Sequence, residues 1–211
     1  MSAAPEQPLR AADGRVPGRR GRATRDKLLA ATEATLATTS YRDLKVVDIA
    51  REAGTSPATF YQYFPDVEAA ILVVARATAD DGHLLAKLAE GPWSGRGAFA
   101  SAQRLAEGFL DFWQQHEAVI RVVDLAIGEG DERFRGIRTH LLNPVTLALR
   151  DAIAAGRNAG VDPAAHAAVL VSMLAHVAEH RHGLEAWGVS GESARDSMAR
   201  ILAGAISGRA R

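Results

Sequence analysis

Two short segments of the chain carry polar side chains whose types and spacing could do chemistry. The first, "TSPATFYQYF" from Thr55 to Phe64, collects hydroxyl, amide and aromatic side chains within ten positions. Hydroxyl groups suit hydrogen bonds to phosphate oxygens, and a glutamine amide can pair with the edge of an adenine. The second, "HVAEH" from His176 to His180, has the H-x-x-E-H spacing that places two imidazoles on one helix face beside a carboxylate. The first segment suggests contact with a polyanion, and the second suggests hydrolysis at a zinc ion.

The composition of the 211 residues is that of a globular chain, with 47% hydrophobic and 24% charged residues. The apolar residues are rich in alanine and form few β-branched runs, which favours helices. The absence of cysteine excludes disulfides and thiolate metal sites. The N-terminal segment has arginines but no apolar stretch, and the longest apolar run is shorter than the ~20 residues that a membrane span needs. We therefore expect a cytoplasmic protein without a signal peptide.

The net charge of zero conceals a basic N-terminal part. Residues 1–64 contain 10 Lys/Arg and 7 Asp/Glu, a balance of +3, and the remainder contains 15 and 18, a balance of −3. Residues 1–23 are rich in Pro, Gly and Arg without periodicity, which predicts a disordered basic arm. Such an arm on a neutral protein indicates a polyanionic partner. Arg19, Arg20 and Arg22 are its candidates for contacts with the minor groove or the phosphates of DNA.

Apolar periodicity and capping residues predict an all-α fold, with a small N-terminal bundle followed by a larger helical body. Thr24, Ser56 and Asp66 are the predicted N-caps of the first, third and fourth helices. Gly54 is the predicted end of the second helix. The predicted helices cover about residues 25–38, 46–53, 57–64, 67–90, 98–116, 117–127, 131–155, 163–184 and 190–206. No segment alternates as a strand would.

The second and third predicted helices, joined by a turn that contains Gly54, have the helix-turn-helix arrangement of DNA-binding proteins. In that arrangement the second helix of the pair enters the major groove. Phe60 and Phe64 would anchor this helix, which is too short to be stable alone in water. The residues predicted to face DNA are Lys45, Thr55, Ser56, Ala58, Thr59, Tyr61, Gln62 and Tyr63, together with the three arginines of the arm.

The stretch "LKVVDIAREAGTSPATFYQYFPDVEAAI" resembles the signature of the TetR family of one-component bacterial repressors. The resemblance covers about Arg25 to Ile71, and the segments "TFYQYFP" and "HEAVIRV" also resemble the branch that contains the ethionamide-activation repressor. Two positions depart from the family pattern. Val67 stands where the family usually has a lysine that contacts phosphate, and Lys45 stands where Ser or Thr usually caps the second helix. We hypothesise that Lys45 supplies the phosphate charge that Val67 lacks.

The resemblance implies a helix-turn-helix domain over residues 24–66 and a helical effector-binding and dimerisation domain over residues 67–211. It implies a homodimer on a palindromic operator, in which the last two helices pair with their copies. The apolar stripes that would serve this pairing, or simply pack in the core, are Val169, Leu170, Met173, Leu174 and Val177 on one helix and Met198, Ile201, Leu202, Ala205 and Ile206 on the other. Repression is the function that the family habit implies.

The resemblance also implies a pocket for a small-molecule effector in the helical body. Apolar walls with few polar groups would suit a hydrophobic or amphipathic effector. The predicted lining residues, which could equally be packed core, are Phe109, Phe112, Trp113, Phe134, Leu141, Leu142, Met173 and His176. We predict no cofactor, no metal and no catalytic residue.

Two alternatives to a DNA-binding regulator remain open in the sequence. The first is a zinc-dependent hydrolase in which His176 and His180 hold the ion and Glu179 acts as the base, with Glu185 or Glu192 as a conjectural third ligand. The second is a helical interaction module whose basic arm binds RNA or an acidic protein. The intact helix-turn-helix spacing argues against the second alternative.

Overall fold

The computed structural model describes residues 18–156 and 160–208, and the helices predicted from the sequence account for nearly all of this part. The α-helices are α1 (Arg19–Thr38), α2 (Val46–Glu52), α3 (Pro57–Tyr63), α4 (Val67–Asp80), α5 (Gly82–Leu88), α6 (Gly97–Gln115), α7 (Glu117–Gly128), α8 (Glu132–Ala155), α9 (Pro163–Glu179), α10 (Arg181–Ala186) and α11 (Gly191–Ser207). A 3₁₀ turn, Tyr41–Asp43, joins α1 to α2. The described residues contain no strand, so the all-α prediction is confirmed. None of their helices combines the length and apolarity needed to cross a membrane.

The chain divides into two compact units after Ala77, within α4. In the first unit α1 packs against α2, and α2 packs against α3. The side chains of Leu28, Leu36, Ile49 and Phe60 are fully buried there. The functional boundary expected between residues 66 and 67 remains a prediction, because the division into compact units does not show which residues bind DNA.

The first helix begins earlier than the sequence indicated. Gly18 is its N-cap, and Thr24, the predicted cap, lies inside the helix and donates its hydroxyl to the carbonyl of Arg20 at 3.1 Å. Arg19 and Arg20 therefore belong to the first turn of α1 and not to a disordered arm. Arginine has a helix propensity close to that of leucine, so this basic segment continues the helix despite Gly21. The rest of the predicted arm, residues 1–17, lies outside the described residues.

The long helix predicted over residues 67–90 is in fact two helices, α4 and α5, separated at Asp81. Gly82 opens α5, and a Cβ atom on it would lie 2.3 Å from the carbonyl oxygen of Leu141 in α8. Only glycine lets the two backbones approach so closely. The helix breaks at this point because α5 packs against α8. Such a tertiary contact cannot be predicted from the local helical periodicity. The helix predicted over residues 163–184 is likewise divided, at His180.

The second unit is built around α6 and α8. Helix α6 packs against α5, α9 and α11, and α8 packs against α5, α7 and α9. Phe109, Phe134, Leu105, Val145 and Leu149 are fully buried between these helices. This packing positions α7 and the end of α9, which carry the second group of polar residues considered below.

Candidate DNA-binding surface and ligand cleft

The start of α3 is defined by local interactions that can be predicted from the sequence. Ser56 is the N-cap, and its hydroxyl accepts a hydrogen bond from the backbone N–H of Thr59 at 3.2 Å. Pro57 occupies the first helical turn, where a missing N–H costs nothing. Gly54 has a φ of +64°, which the turn between α2 and α3 requires and which glycine adopts without strain. These features place α3 immediately after a tight turn, as in a helix-turn-helix.

Two phenylalanines hold α3 to its unit. Phe60 is fully buried and Phe64 is 3% exposed, with their ring centroids 5.5 Å apart. The guanidinium carbon of Arg25, in α1, lies 5.4 Å from the centroid of the Phe64 ring, within cation–π range. A helix of seven residues cannot form alone in water, so this burial is what maintains it. The role expected of the two rings as anchors agrees with their burial.

The predicted DNA-facing residues on α3 lie on its outer side or at its rim. Ala58, Tyr61 and Gln62 are exposed, and Tyr61 retains 53% of its accessible surface. Thr59 and Tyr63 are half-buried, and the hydroxyls of Thr59 and Ser56 are 3.0 Å apart. This face therefore presents a phenol, an amide and two hydroxyls to the outside, the mixture suited to phosphate and base-edge contacts.

The remaining predicted DNA contacts come from other elements of the same unit. Lys45 is exposed and is the residue before α2, where its side chain makes no capping hydrogen bond. Thr55 lies in the turn, half-buried, and its hydroxyl has no hydrogen-bond partner among the described residues. Arg19, Arg20 and Arg22 are exposed on the first turns of α1. Their fixed helical spacing differs from the mobile arm that the sequence suggested.

The predicted effector-lining residues are mostly packed core. Phe109 and Trp113 stack with centroids 5.0 Å apart, and Phe109, Phe134 and Leu141 are at most 3% exposed. Phe112 is buried as well, Leu142 and Met173 are half-buried, and His176 is exposed on α9. Of this set, Trp113 alone lines the cleft described next, among the residues that the structure describes.

The cleft missed by the sequence analysis lies between the end of α6, α7 and the end of α9, and has a volume of about 460 Å³. Its lining includes Trp113, Glu117, Ile120, Asp124, Leu125 and Glu179. A signal for it was present, because Asp124 is an acid within the apolar run of α7. Without knowledge of which helix faced α7, that acid could not be assigned to a site.

The polar groups of the cleft are only partly satisfied. Arg138 donates from Nη1 to Oδ1 of Asp124 at 2.5 Å, and its guanidinium carbon lies 4.9 Å from the centroid of a ring of Trp113. Oδ2 of Asp124 and Nε1 of Trp113 are buried without a hydrogen-bond partner among the described residues. Burial raises the pKa of Asp124 above its ordinary value of 3.8, an effect that Arg138 opposes and Glu179 reinforces.

The H-x-x-E-H residues do come together at the end of α9. His176, Glu179 and His180 each offer a ligand atom, and these atoms all lie within 4.8 Å of one another. All three side chains are exposed. Of the conjectural third ligands, Glu185 contacts His182 instead, with Oε2 3.3 Å from Nδ1 of His182, and Glu192 lies exposed in the first turn of α11.

Solved structures of other proteins share this fold. A TetR-family transcriptional regulator from Streptomyces coelicolor is 16% identical, covers 90% of this chain and 84% of its own, and gives a TM-score of 0.69. The fatty acid degradation regulator FadR from Bacillus halodurans is 14% identical, with coverages of 93% and 99% and a TM-score of 0.66. A TetR family regulator from Marinobacter aquaeolei VT8 is 17% identical, with coverages of 89% and 97% and a TM-score of 0.59. At these identities the likeness shows a common fold.

Two family models match the sequence itself. The family of bacterial regulatory proteins named tetR matches residues 28–69, and the tetracyclin repressor-like C-terminal domain matches residues 84–211, more than half of the chain. A search of curated proteins found no significant relative. The matches do not distinguish the ethionamide-activation branch, which stays a prediction, and they lend no support to a zinc hydrolase. The chain belongs to the TetR family of bacterial transcriptional regulators.

Proposed function

We propose that this regulator is a cytoplasmic, non-enzymatic repressor that binds a palindromic operator as a homodimer and leaves it when a small hydrophobic or amphipathic effector binds. The observation that carries the proposal is the geometry of α3. Its inner side is held by Phe60 and Phe64, and its outer side leaves Tyr61 and Gln62 exposed. Two such helices about one DNA turn apart would read the two halves of the operator.

A homodimer is supported by apolar side chains left exposed on the last two long helices. Val169 on α9 is 67% exposed and Ile201 on α11 is 51% exposed. Ala165, Ala168 and Ser172 are exposed on α9 as well, and such small residues allow another helix to approach closely. An apolar surface on two helices is the kind that a two-fold, self-complementary contact buries. We therefore place the dimer contact on α9 and α11.

Effector binding is supported by the cleft beside α7. Ile120, Leu125 and Ala178 contribute apolar wall, while Trp113 and Asp124 line the same cleft and hold a buried N–H and a buried carboxylate oxygen that lack partners among the described residues. The described lining also includes the ionisable residues Glu117, Arg121, Asp124, Glu179, His180 and Arg181. The cleft therefore suits an amphipathic molecule whose polar or charged groups face these side chains. Binding releases DNA only if the effector favours the conformation that cannot engage the operator.

Selection from a random DNA duplex library, followed by footprinting of the enriched sequence, tests the proposal. The expected result is an inverted repeat protected over both half-sites, with binding that weakens steeply as salt increases. RNA and heparin serve as competitors, because an interaction module that binds polyanions would prefer neither the repeat nor duplex DNA. Equal binding to all three polymers at low ionic strength would contradict the operator-binding proposal.

A further inference from the structure

The C-terminal turn of α9 brings two imidazoles and a carboxylate to one place. The ligand atoms of His176, Glu179 and His180 all lie within 4.8 Å of one another, and the two rings stack with centroids 4.4 Å apart. The backbone N–H of His180 donates to the carbonyl of His176 at 2.9 Å. The helical hydrogen-bond pattern therefore reaches His180, the C-cap that follows the last residue of α9, and keeps the three side chains close together.

This donor set suits a divalent transition-metal ion. Imidazole is a preferred ligand of zinc, nickel and copper, whereas calcium and magnesium prefer all-oxygen sites. Bond lengths of about 2.0–2.1 Å around a tetrahedral zinc ion place the ligand atoms about 3.3 Å apart. From a separation of at most 4.8 Å, the three donor atoms need to approach one another by up to about 1.5 Å. Because the three side chains are exposed, rotation about their own bonds would supply this movement, and it would also unstack the two rings so that their nitrogens point at one ion.

We propose that His176, Glu179 and His180 form a binding site for one divalent transition-metal ion, with zinc as the reference ion. This revises the sequence-based prediction of no metal. There Glu179 was considered as a base and the third ligand was sought in Glu185 or Glu192, whereas the structure groups the Glu179 carboxylate with both imidazoles. We assign to these residues the binding of the ion and no reaction.

The position of the site means that a bound ion would stabilise the last turn of α9 beside the cleft. Glu179 and His180 also line the cleft, so the ion would lie at its rim, where α9 gives way to α10. Ligation by residues one helical turn apart pins the last turn of α9 in its helical conformation. Three protein ligands leave a further position of a tetrahedral ion for water or for a group of a bound molecule. The inference does not depend on operator binding, since it concerns the chain without DNA.

The test uses the full chain without an affinity tag and measures Zn²⁺ binding by calorimetry and Co²⁺ binding by its visible absorption. The variants are His176→Gln, Glu179→Gln and His180→Gln. His182→Gln is the matched control, because His182 is an exposed histidine two residues further on that contacts Glu185 instead. Each metal-free variant is first shown to unfold at the wild-type temperature, as expected for exposed side chains.

The expected result is one ion per chain in the wild type, with Zn²⁺ raising the unfolding temperature. Loss of His176 or His180 should weaken binding by at least about tenfold, since even a group that only orients a metal ligand contributes 10- to 100-fold. Glu179→Gln should weaken it too, and His182→Gln should leave it unchanged. Undiminished binding by the His176→Gln/His180→Gln double variant, or no wild-type binding at millimolar zinc, would overturn the inference and leave the operator proposal untouched.

Discussion

The hydroxyl of Ser56 accepts a hydrogen bond from the backbone N–H of Thr59 at 3.2 Å, which closes the first turn of the helix proposed to enter DNA. The same two side chains meet through their hydroxyls at 3.0 Å. One residue thus starts the helix and orients a neighbour on its recognition side. This pair links the local sequence to the surface on which operator binding would depend.

Substitution of Ser56 by alanine tests this link. Loss of an N-cap typically costs about 1 kcal/mol of stability, and here it should also reduce operator affinity because α3 frays. Ser190→Ala is the matched control, since Ser190 caps α11 by accepting from the N–H of Ser193 at 3.1 Å. Urea unfolding should show similar losses for both variants, while gel shifts should show reduced DNA affinity only for Ser56→Ala. Equal DNA affinity in the two variants would show that the N-cap of α3 does not contribute to operator recognition.

Lys45 tests the compensation proposed for the valine at position 67. If Lys45 contacts a phosphate, Lys45→Ala should weaken binding to all duplexes alike and reduce the slope of log affinity against log salt by about 1. Fluorescence anisotropy titrations at several salt concentrations measure this slope. Lys87→Ala on α5 removes an exposed lysine from the other unit and should leave the slope unchanged. An unaltered slope for Lys45→Ala would end the hypothesis.

The dimer contact proposed on α9 is tested by a charge at its most exposed apolar position. Val169→Glu places carboxylates where two copies would meet and should shift the protein towards monomers at micromolar concentration. Sedimentation equilibrium measures the change directly. Leu84→Glu, at a leucine 44% exposed on α5, introduces the same charge away from α9 and α11 and should leave the association state unaltered. Identical behaviour of the two variants would place the contact elsewhere.

The close contact between α5 and α8 predicts that adding one methyl group at Gly82 strongly destabilises the chain. A Cβ on Gly82 would lie 2.3 Å from the carbonyl oxygen of Leu141, and backbone cannot move aside as a flexible side chain can. Gly82→Ala should therefore destabilise the chain by about 1–3 kcal/mol or more. Gly136→Ala provides the contrast, because a Cβ there, within α8, meets no atom within 4 Å. It should stabilise by about 0.5–1 kcal/mol, as chemical denaturation would show.

Asp124 predicts a pH dependence of a definite sign. Because burial raises its pKa above 3.8 in the folded chain, the folded state binds a proton more tightly than the unfolded state just above that value. The contribution of Asp124 to stability is then largest below pH 3.8 and decreases as the pH rises through its folded pKa. The free energy of unfolding of the wild type minus that of Asp124→Asn should decrease over this window. A difference that rises with pH would show that Arg138 outweighs burial.

The sequence alone determined the helix-turn-helix and the class of fold. Ser56, Pro57, Gly54 and the spacing of Phe60 and Phe64 act within a few residues of one another, so their consequences can be derived without knowing the rest of the molecule. The family resemblance came from the same local pattern. A local prediction that was wrong is the start of α1, where Thr24 was expected to be the N-cap although the arginines before it continue the helix back to Arg19.

The tertiary structure decided what the helical body does with its residues. Periodicity predicted that Phe109 and Trp113 face inward, yet only the packing shows that both fill the core and that Trp113 also lines a cleft beside α7. Asp124 and Arg138 are fourteen positions apart on different helices, and their pairing depends on how α7 packs on α8. Gly82 begins a separate helix, α5, because its missing side chain lets α5 approach the backbone of Leu141 in α8. The local pattern of apolar residues specifies which face of a helix is buried, but which helix packs against that face depends on the tertiary structure of the whole chain.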